Sequence, residues 1–159
     1  MAICREDFLQ ALRNWASGVT VVTTKDFQGN LHGITVSAFS SVSLTPPLVL
    51  VCIDKQAGSH DAFQESRAFV VNILSEDQEH VSRQFASPLP DKFAGIDFDE
   101  GIEGIPVLRG TLANLECRLM LTYEAGDHTI FIGEIQHSRA FKGKPLLYFQ
   151  SDYGKLNKT

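Results

Sequence analysis

The side chains with most to offer chemically fall in three short stretches. The first is Thr35, Ser37, Ser41 and Ser43, four hydroxyls of one parity within residues 31–44. A strand sends alternate side chains to opposite faces. These four would therefore form a row with Phe39, while Ile34, Val36, Ala38, Val42 and Leu44 form an apolar face behind it. Small donors beside strand amides suit an acceptor-rich ligand, anionic or heteroaromatic. The same row is also what the solvent face of an antiparallel strand looks like, although a Phe among hydroxyls asks for something to cover it. The second stretch is Arg83-Gln84-Phe85-Ala86 at the end of a helical pattern, where Arg suits the helix dipole and Phe85 suits a core. The third is Gly126-Asp127-His128, a turn that delivers a histidine to the start of a strand. That histidine could donate a hydrogen bond or shuttle a proton, or simply belong to the turn.

Other chemistries lack their signatures. The sequence has no GxGxxG, no GxxxxGK[ST], no HExxH and no GxSxG. The histidines at 32, 60, 80, 128 and 137 show no metal-ligand spacing, and no metal is expected. Fourteen Lys and Arg against nineteen Asp and Glu leave a net charge of −5, without the basic excess that marks a nucleic-acid binder. Cys4, Cys52 and Cys117 are far apart and odd in number, which points to reduced thiols and a cytoplasmic protein, two of the thiols in strands. No apolar run approaches the roughly 20 residues of a membrane span, and residues 1–7 do not read as a signal peptide.

The elements that must hold these residues are mostly strands. Phe8, Leu9, Leu12 and Trp15 give residues 5–16 the apolar stripe of a helix. Residues 19–24 are β-branched and read as a strand, followed by a turn at 28–30. Residues 31–44 read as one alternating strand ended by Thr45-Pro46-Pro47, and 48–53 as a strand buried on both faces. Ser59 can cap a short helix to Ser66, and 69–74 is a further strand. Ser75-Glu76-Asp77-Gln78 looks like a capping box opening a helix that buries Val81 and Phe85. Residues 91–110, with five glycines or prolines and much charge, read as a long surface loop. Residues 112–124 and 129–138 form a hairpin across 125–128, and 146–150 is the last strand. About seven strands, two or three short helices and no βαβ alternation favour one mainly β domain, a closed or nearly closed antiparallel barrel with peripheral helices.

Taken together, the segments FLQALRNWASGVTVVTT (8–24), HGITVSAFSSVSLTPPLVLVCID (32–54), FVVNILSEDQEHVSRQFA (69–86), GIPVLRGTLANLECRL (104–119), GDHTIFIGEI (126–135) and PLLYF (145–149) resemble the flavin reductase family. The resemblance runs over about residues 8–154. It implies an antiparallel split β-barrel of Greek-key type that binds FMN or FAD, with NADH or NADPH as co-substrate. It implies the small reductase component of a two-component flavin monooxygenase, with reduced flavin diffusing to the oxygenase. It also implies a homodimer with the flavin cleft near the subunit interface, to which the Trp15-bearing helix and residues 91–110 are candidate contributors. On the same resemblance Thr35, Val36, Ser37 and Ala38 would lie by the isoalloxazine, and Ser41 and Ser43 further along the flavin tail. Cys52, Asp54, Lys55 and Ser59 would cradle the ribityl chain and phosphate. Phe85 and Ala86 would sit beside the flavin, and His128 would contact the nicotinamide. Ser37 departs from the Asn that many relatives carry. Two other readings remain: a non-catalytic flavin-binding protein on the same barrel, and a β-barrel interaction module with a solvated hydroxyl strand.

Overall fold

β-Branched runs and turn residues dictate most of this architecture, which a computed structural model describes for residues 2–157. In chain order the elements are α1 (Arg5–Leu12), β1 (Ser17–Gly18), β2 (Thr20–Lys25), β3 (Leu31–Val36), β4 (Phe39–Ser43) and β5 (Leu48–Asp54). Then come α2 (His60–Glu65), β6 (Ala68–Ile73), α3 (Glu79–Ala86), β7 (Phe98–Glu100), a 3₁₀ turn (Ile102–Gly104) and β8 (Pro106–Leu108). The long strands β9 (Ala113–Ala125) and β10 (His128–Ala140) follow, with β11 (Leu146–Phe149) and β12 (Asp152–Lys155) last. The structure is mainly β with three α-helices. The main sheet runs β3-β2-β6-β9-β10-β5-β4 and is antiparallel throughout.

The two outermost strands of that sheet, β3 and β4, are consecutive in the chain. Only Ser37 and Ala38 separate them, so the sheet curls until its edges nearly meet. Val22, Val36, Val49, Val51, Ile53, Phe69, Val71, Cys117 and Phe131 point into the enclosed space, joined by Phe63 of α2. Residues 31–44 are thus two strands, not one. The parity argument stops at Ser37: Val36 is buried, whereas Val42 and Leu44 are exposed. Alternation cannot reveal such a break, because the residues on either side remain β-compatible.

β2 is covered on both sides, Val22 facing the enclosed core and Val21 packing with Leu74, Val81, Phe85 and Leu108 under α3. Its threonines are satisfied. Thr20 Oγ1 donates to the Val36 carbonyl at 2.6 Å and Thr23 Oγ1 to that of Pro106 at 2.6 Å. β5 is not buried on both faces as its composition predicts. Val49, Val51 and Ile53 are buried, while Leu50 and Cys52 line a cleft. Residues 91–110 are also more than a surface loop. β7 and β8 pair there, and Ile105 and Val107 cover Ala68 and Val70. The glycines that suggested a loop make turns between apolar anchors, Gly95 at φ 72°, Gly104 at 72° and Gly110 at 76°.

The helices are shorter than their periodicity suggests. α1 ends at Leu12 and buries none of its residues. α3 begins at Glu79, after residues 75–78: Ser75 does not cap it, but the Gln78 side-chain oxygen accepts from the Ser75 amide at 3.1 Å. The 113–140 hairpin is longer than expected and turns on Gly126-Asp127 alone. The short strands β1 and β12 carry too little pattern to be read from sequence.

Candidate functional site

The break between β3 and β4 is where the structure opens. The Ser37 carbonyl accepts from the Phe39 amide at 2.9 Å, and the Ala38 carbonyl from the Cys52 amide at 3.0 Å. Among the described residues no acceptor takes the amides of Ser37 and Ala38, and both residues are exposed. They border a cleft of about 570 Å³ whose floor includes Leu50 and Cys52. Leu9, Leu12 and Trp15 roof it, and the β11–β12 turn closes its side. That turn carries Gln150 at φ 50° and Ser151 at φ 64°, and the Gln150 amide donates to the Arg13 carbonyl at 3.0 Å. Burial pushes the Cys52 thiol pKa up, so it stays a neutral, polarisable wall rather than a thiolate.

Two further hollows continue from this cleft. Ser37 also borders a pocket of about 210 Å³, with Thr35, Ser82, Ala86, Tyr148 and Tyr153 among its walls. Ala86 in turn borders a cavity of about 750 Å³ between β3, the 57–59 loop and the segment after α3. Three cavities therefore share walls in sequence. In the last, Ser59 is 5% exposed, and its Oγ is the one buried side-chain polar atom without a hydrogen-bond partner among the described residues. It does not cap α2. In the same wall Lys92 donates to the Phe85 carbonyl at 3.0 Å and, more weakly, to that of Gly33 at 3.4 Å. It forms no ion pair among the described residues, and burial pushes its pKa below the ordinary lysine value. An unpartnered hydroxyl and an unpaired ammonium in one cavity suit an anion.

The sequence-predicted residues do not all gather here. Ser37, Ala38 and Cys52 share the cleft; Ser59, Phe85 and Ala86 share the large cavity. Thr35 borders the small pocket, but its hydroxyl donates to the Ser82 carbonyl at 2.6 Å and so anchors α3. Val36 is 5% exposed, leaving only its backbone to face outward. Phe85 is fully buried and edge-on to Phe93 at 5.0 Å. A Cβ on Gly33 would lie 2.5 Å from the Phe85 ring, so glycine lets this wall form. Ser41 and Ser43 lie along β4 and border none of the three cavities.

Asp54 and Lys55 belong to the hairpin tip rather than a cavity wall. Asp54 accepts from the Gln56 amide at 2.8 Å. Lys55 Nζ binds Glu124 Oε2 at 2.6 Å and the Gly126 carbonyl at 2.8 Å. Lys55 holds the Glu124 carboxyl below the usual range. His128, paired across the sheet with Asp54, lines none of the three cavities. Its Nδ1 lies 2.7 Å from Asp127 Oδ1, and this contact lowers the Asp127 pKa. An ionised carboxylate only accepts, so Nδ1 carries the proton and Nε2 is left for another partner. Leu50, Tyr148, Gln150 and Ser151 are wall residues that sequence reasoning missed, and Trp15 and Lys92 entered it only within the helix and the 91–110 segment named as candidate contributors.

The flavin reductase like domain family matches residues 12–157. The reductase component of a 4-nitrophenol 4-monooxygenase/4-nitrocatechol 2-monooxygenase from Rhodococcus opacus is 39% identical over 150 residues, covering 94% of this chain and 80% of that protein. An FMN reductase (NADH) from Agrobacterium fabrum is 40% identical over 151 residues, covering 95% and 86%. An NADH:FAD oxidoreductase from Streptomyces globisporus C-1027, solved in complex with NAD and FAD fragments, is similar with a TM-score of 0.90 and 33% identity. That match covers 99% of this chain and 97% of the other.

Proposed function

This chain belongs to the flavin reductase like domain family, and from that premise we propose that it is an NAD(P)H:flavin oxidoreductase. It reduces FMN or FAD with a reduced nicotinamide and supplies the product to a separate monooxygenase component, as the names of its relatives indicate for them. We read the scaffold as a split β-barrel of Greek-key type, one domain over residues 1–159 with its core at about 8–154. We place it in the cytoplasm on its three free thiols. No helix among the described residues is long and apolar enough to cross a membrane.

The observation that carries the reading is the unpartnered Ser59 hydroxyl in a cavity that Lys92 also lines, which shares wall residues in turn with the small pocket and the cleft. We assign it to the flavin phosphate. When bound, flavin supplies the hydride-accepting chemistry, taking two electrons and one proton from the nicotinamide. The amides of Ser37 and Ala38 and the Ser37 hydroxyl then meet the acceptor edge of the ring. Leu50 and the protonated Cys52 give it an uncharged floor, and Ala86 and the wall behind it, set by Phe85, carry the groove onward. Thr35 and Val36 act by holding the strand in place. The roles of Asp54 and Lys55 lie in fixing the hairpin tip, and no ligand contact is assigned to Ser41 or Ser43. His128 offers Nε2 to the nicotinamide carboxamide, whose amide N–H can donate to it. Hydride transfer needs the two rings stacked and water kept out, which the α1 side chains over the cleft favour.

The test is NADH and NADPH consumption by the purified protein with FMN, FAD or neither. Turnover that requires added flavin supports the reading. Flavin binding without turnover would leave only a carrier on the same fold.

A further inference from the structure

Among the described residues α2 and the β9–β10 hairpin share one buried side-chain hydrogen bond, beside the Phe63–Phe131 ring contact at 6.0 Å. His60 is 7% exposed, and its Nε2 lies 2.9 Å from Thr129 Oγ1, a residue with no exposure. The Thr129 hydroxyl donates its only proton to Glu124 Oε1 at 3.3 Å. The same hydroxyl is hydrogen-bonded to His60 Nε2, so Thr129 joins the ring to Glu124. On the other side of the ring, Nδ1 is 3.4 Å from Asp61 Oδ1. Phe131 meets the ring edge-on at 6.1 Å, leaving it little room to turn. Glu124 continues the chain to Lys55 Nζ at 2.6 Å, and Lys55 holds the turn twice more, by its side chain to the Gly126 carbonyl and its amide to that of Asp127.

The placement matters because of the neighbours. His60 directly follows Ser59, and Thr129 directly follows His128. We propose that the buried His60–Thr129 hydrogen bond is a positioning strut that couples the anion-binding Ser59 to His128, so that a flavin phosphate in the large cavity sets the nicotinamide contact at the hairpin tip. An anion engaging Ser59 restrains the backbone that carries His60. A restrained His60 holds Thr129 in place, and Thr129 fixes where the preceding turn presents His128. The coupling needs only that one ligand remove freedom that the other would otherwise have to remove. This rests on the assignment of Ser59 to flavin phosphate and of His128 to nicotinamide made above.

FMN carries the phosphate and riboflavin does not, so the two flavins switch the strut's input. At saturating flavin, the wild-type KM for NADH is expected to be about fivefold higher with riboflavin than with FMN, the low end of ordinary coupling, with kcat changed by less than about twofold. Thr129→Val should bring the two KM values within about twofold of each other, and Thr129→Ser, which keeps the hydroxyl, should restore the difference. Should Thr129→Val fail to fold, His60→Phe keeps an aromatic ring and removes the hydrogen bond, with the same expectation. Equal wild-type KM values for the two flavins overturn the inference without any variant. A preserved ratio in the variants overturns the strut and leaves a merely structural bond. His128→Ala separates the two claims: if it leaves KM for NADH unchanged, the assignment of His128 itself has failed. If it raises KM while the wild-type ratio is one, only the coupling has failed.

Discussion

A single hydroxyl shows how a binding residue differs from a structural one. Ser59 Oγ is buried without a partner, a situation that disfavours the folded state by about 1–3 kcal/mol when nothing is bound. Ser59→Ala removes that penalty. It should leave stability in denaturant unchanged or raise it by about 1 kcal/mol, while weakening FMN about tenfold through the lost charge-assisted bond and leaving riboflavin affinity near the wild-type value. Fluorescence quenching with the two flavins reads this directly, and equal losses for both would remove the phosphate from Ser59. At this scale the sequence was informative about residue type and silent about partnership. Ser37, Thr35 and Ser43 share one parity, yet one borders two cavities, one is tied to Ser82 and one borders none. That sorting comes from the bend at 37–38 and the approach of α3, neither of which leaves a mark on the alternation. Lys92 was hidden for the same reason, since its charge is unpaired only because of where its neighbours lie.

Among the elements, the turn between β11 and β12 carries the clearest strain. Two successive non-glycine residues, Gln150 at φ 50° and Ser151 at φ 64°, hold left-handed conformations, which cost on the order of 1 kcal/mol or more each for residues with a Cβ. Short hairpins favour this geometry because it matches strand twist, and here it also presses Gln150 and Ser151 against the cleft. Ser151→Gly should therefore raise stability by about 1 kcal/mol, a rise in Tm of about 2–4 °C for a protein of this size. Thermal melts of the two proteins check it, and an unchanged or lower Tm would show that Ser151 makes compensating contacts. Elements whose local chemistry agreed with their surroundings were legible: the β-branched β2, the apolar β6 and the hairpin around Gly126-Asp127. Residues 91–110 were not, because Gly and Pro mark turns without saying whether the residues between them are anchored. Ile105 and Val107 are anchored by β6, which is distant in sequence.

On the scale of the whole molecule, one part of the sheet is left uncovered. β6 pairs with β9 only up to Arg118, so residues 120–125 of β9 have β10 on one side and an open edge on the other. Met120, Leu121 and Tyr123 on that segment are each about half exposed, and Phe8, Leu12 and Trp15 near the N-terminus are also exposed, Trp15 at 76%. A bare edge strand carrying large apolar side chains invites pairing or covering. A second copy of this chain is the expected cover if the homodimer that the family resemblance implies is formed. Its interface would use the outer half of the hairpin whose tip carries His128, so loss of the dimer should also loosen the nicotinamide contact. Leu121→Glu places a charge in the middle of the patch, at a site far from the enclosed core. Sedimentation at micromolar concentration should show a dimer for the wild-type protein and a shift of at least about tenfold towards monomer for the variant, the effect of about 1.4 kcal/mol at an interface. The variant's melting curve should change less than its mass, and KM for NADH should rise as the protein dissociates. A monomeric wild-type protein, or a variant that stays dimeric, would mean that this edge is covered by something else.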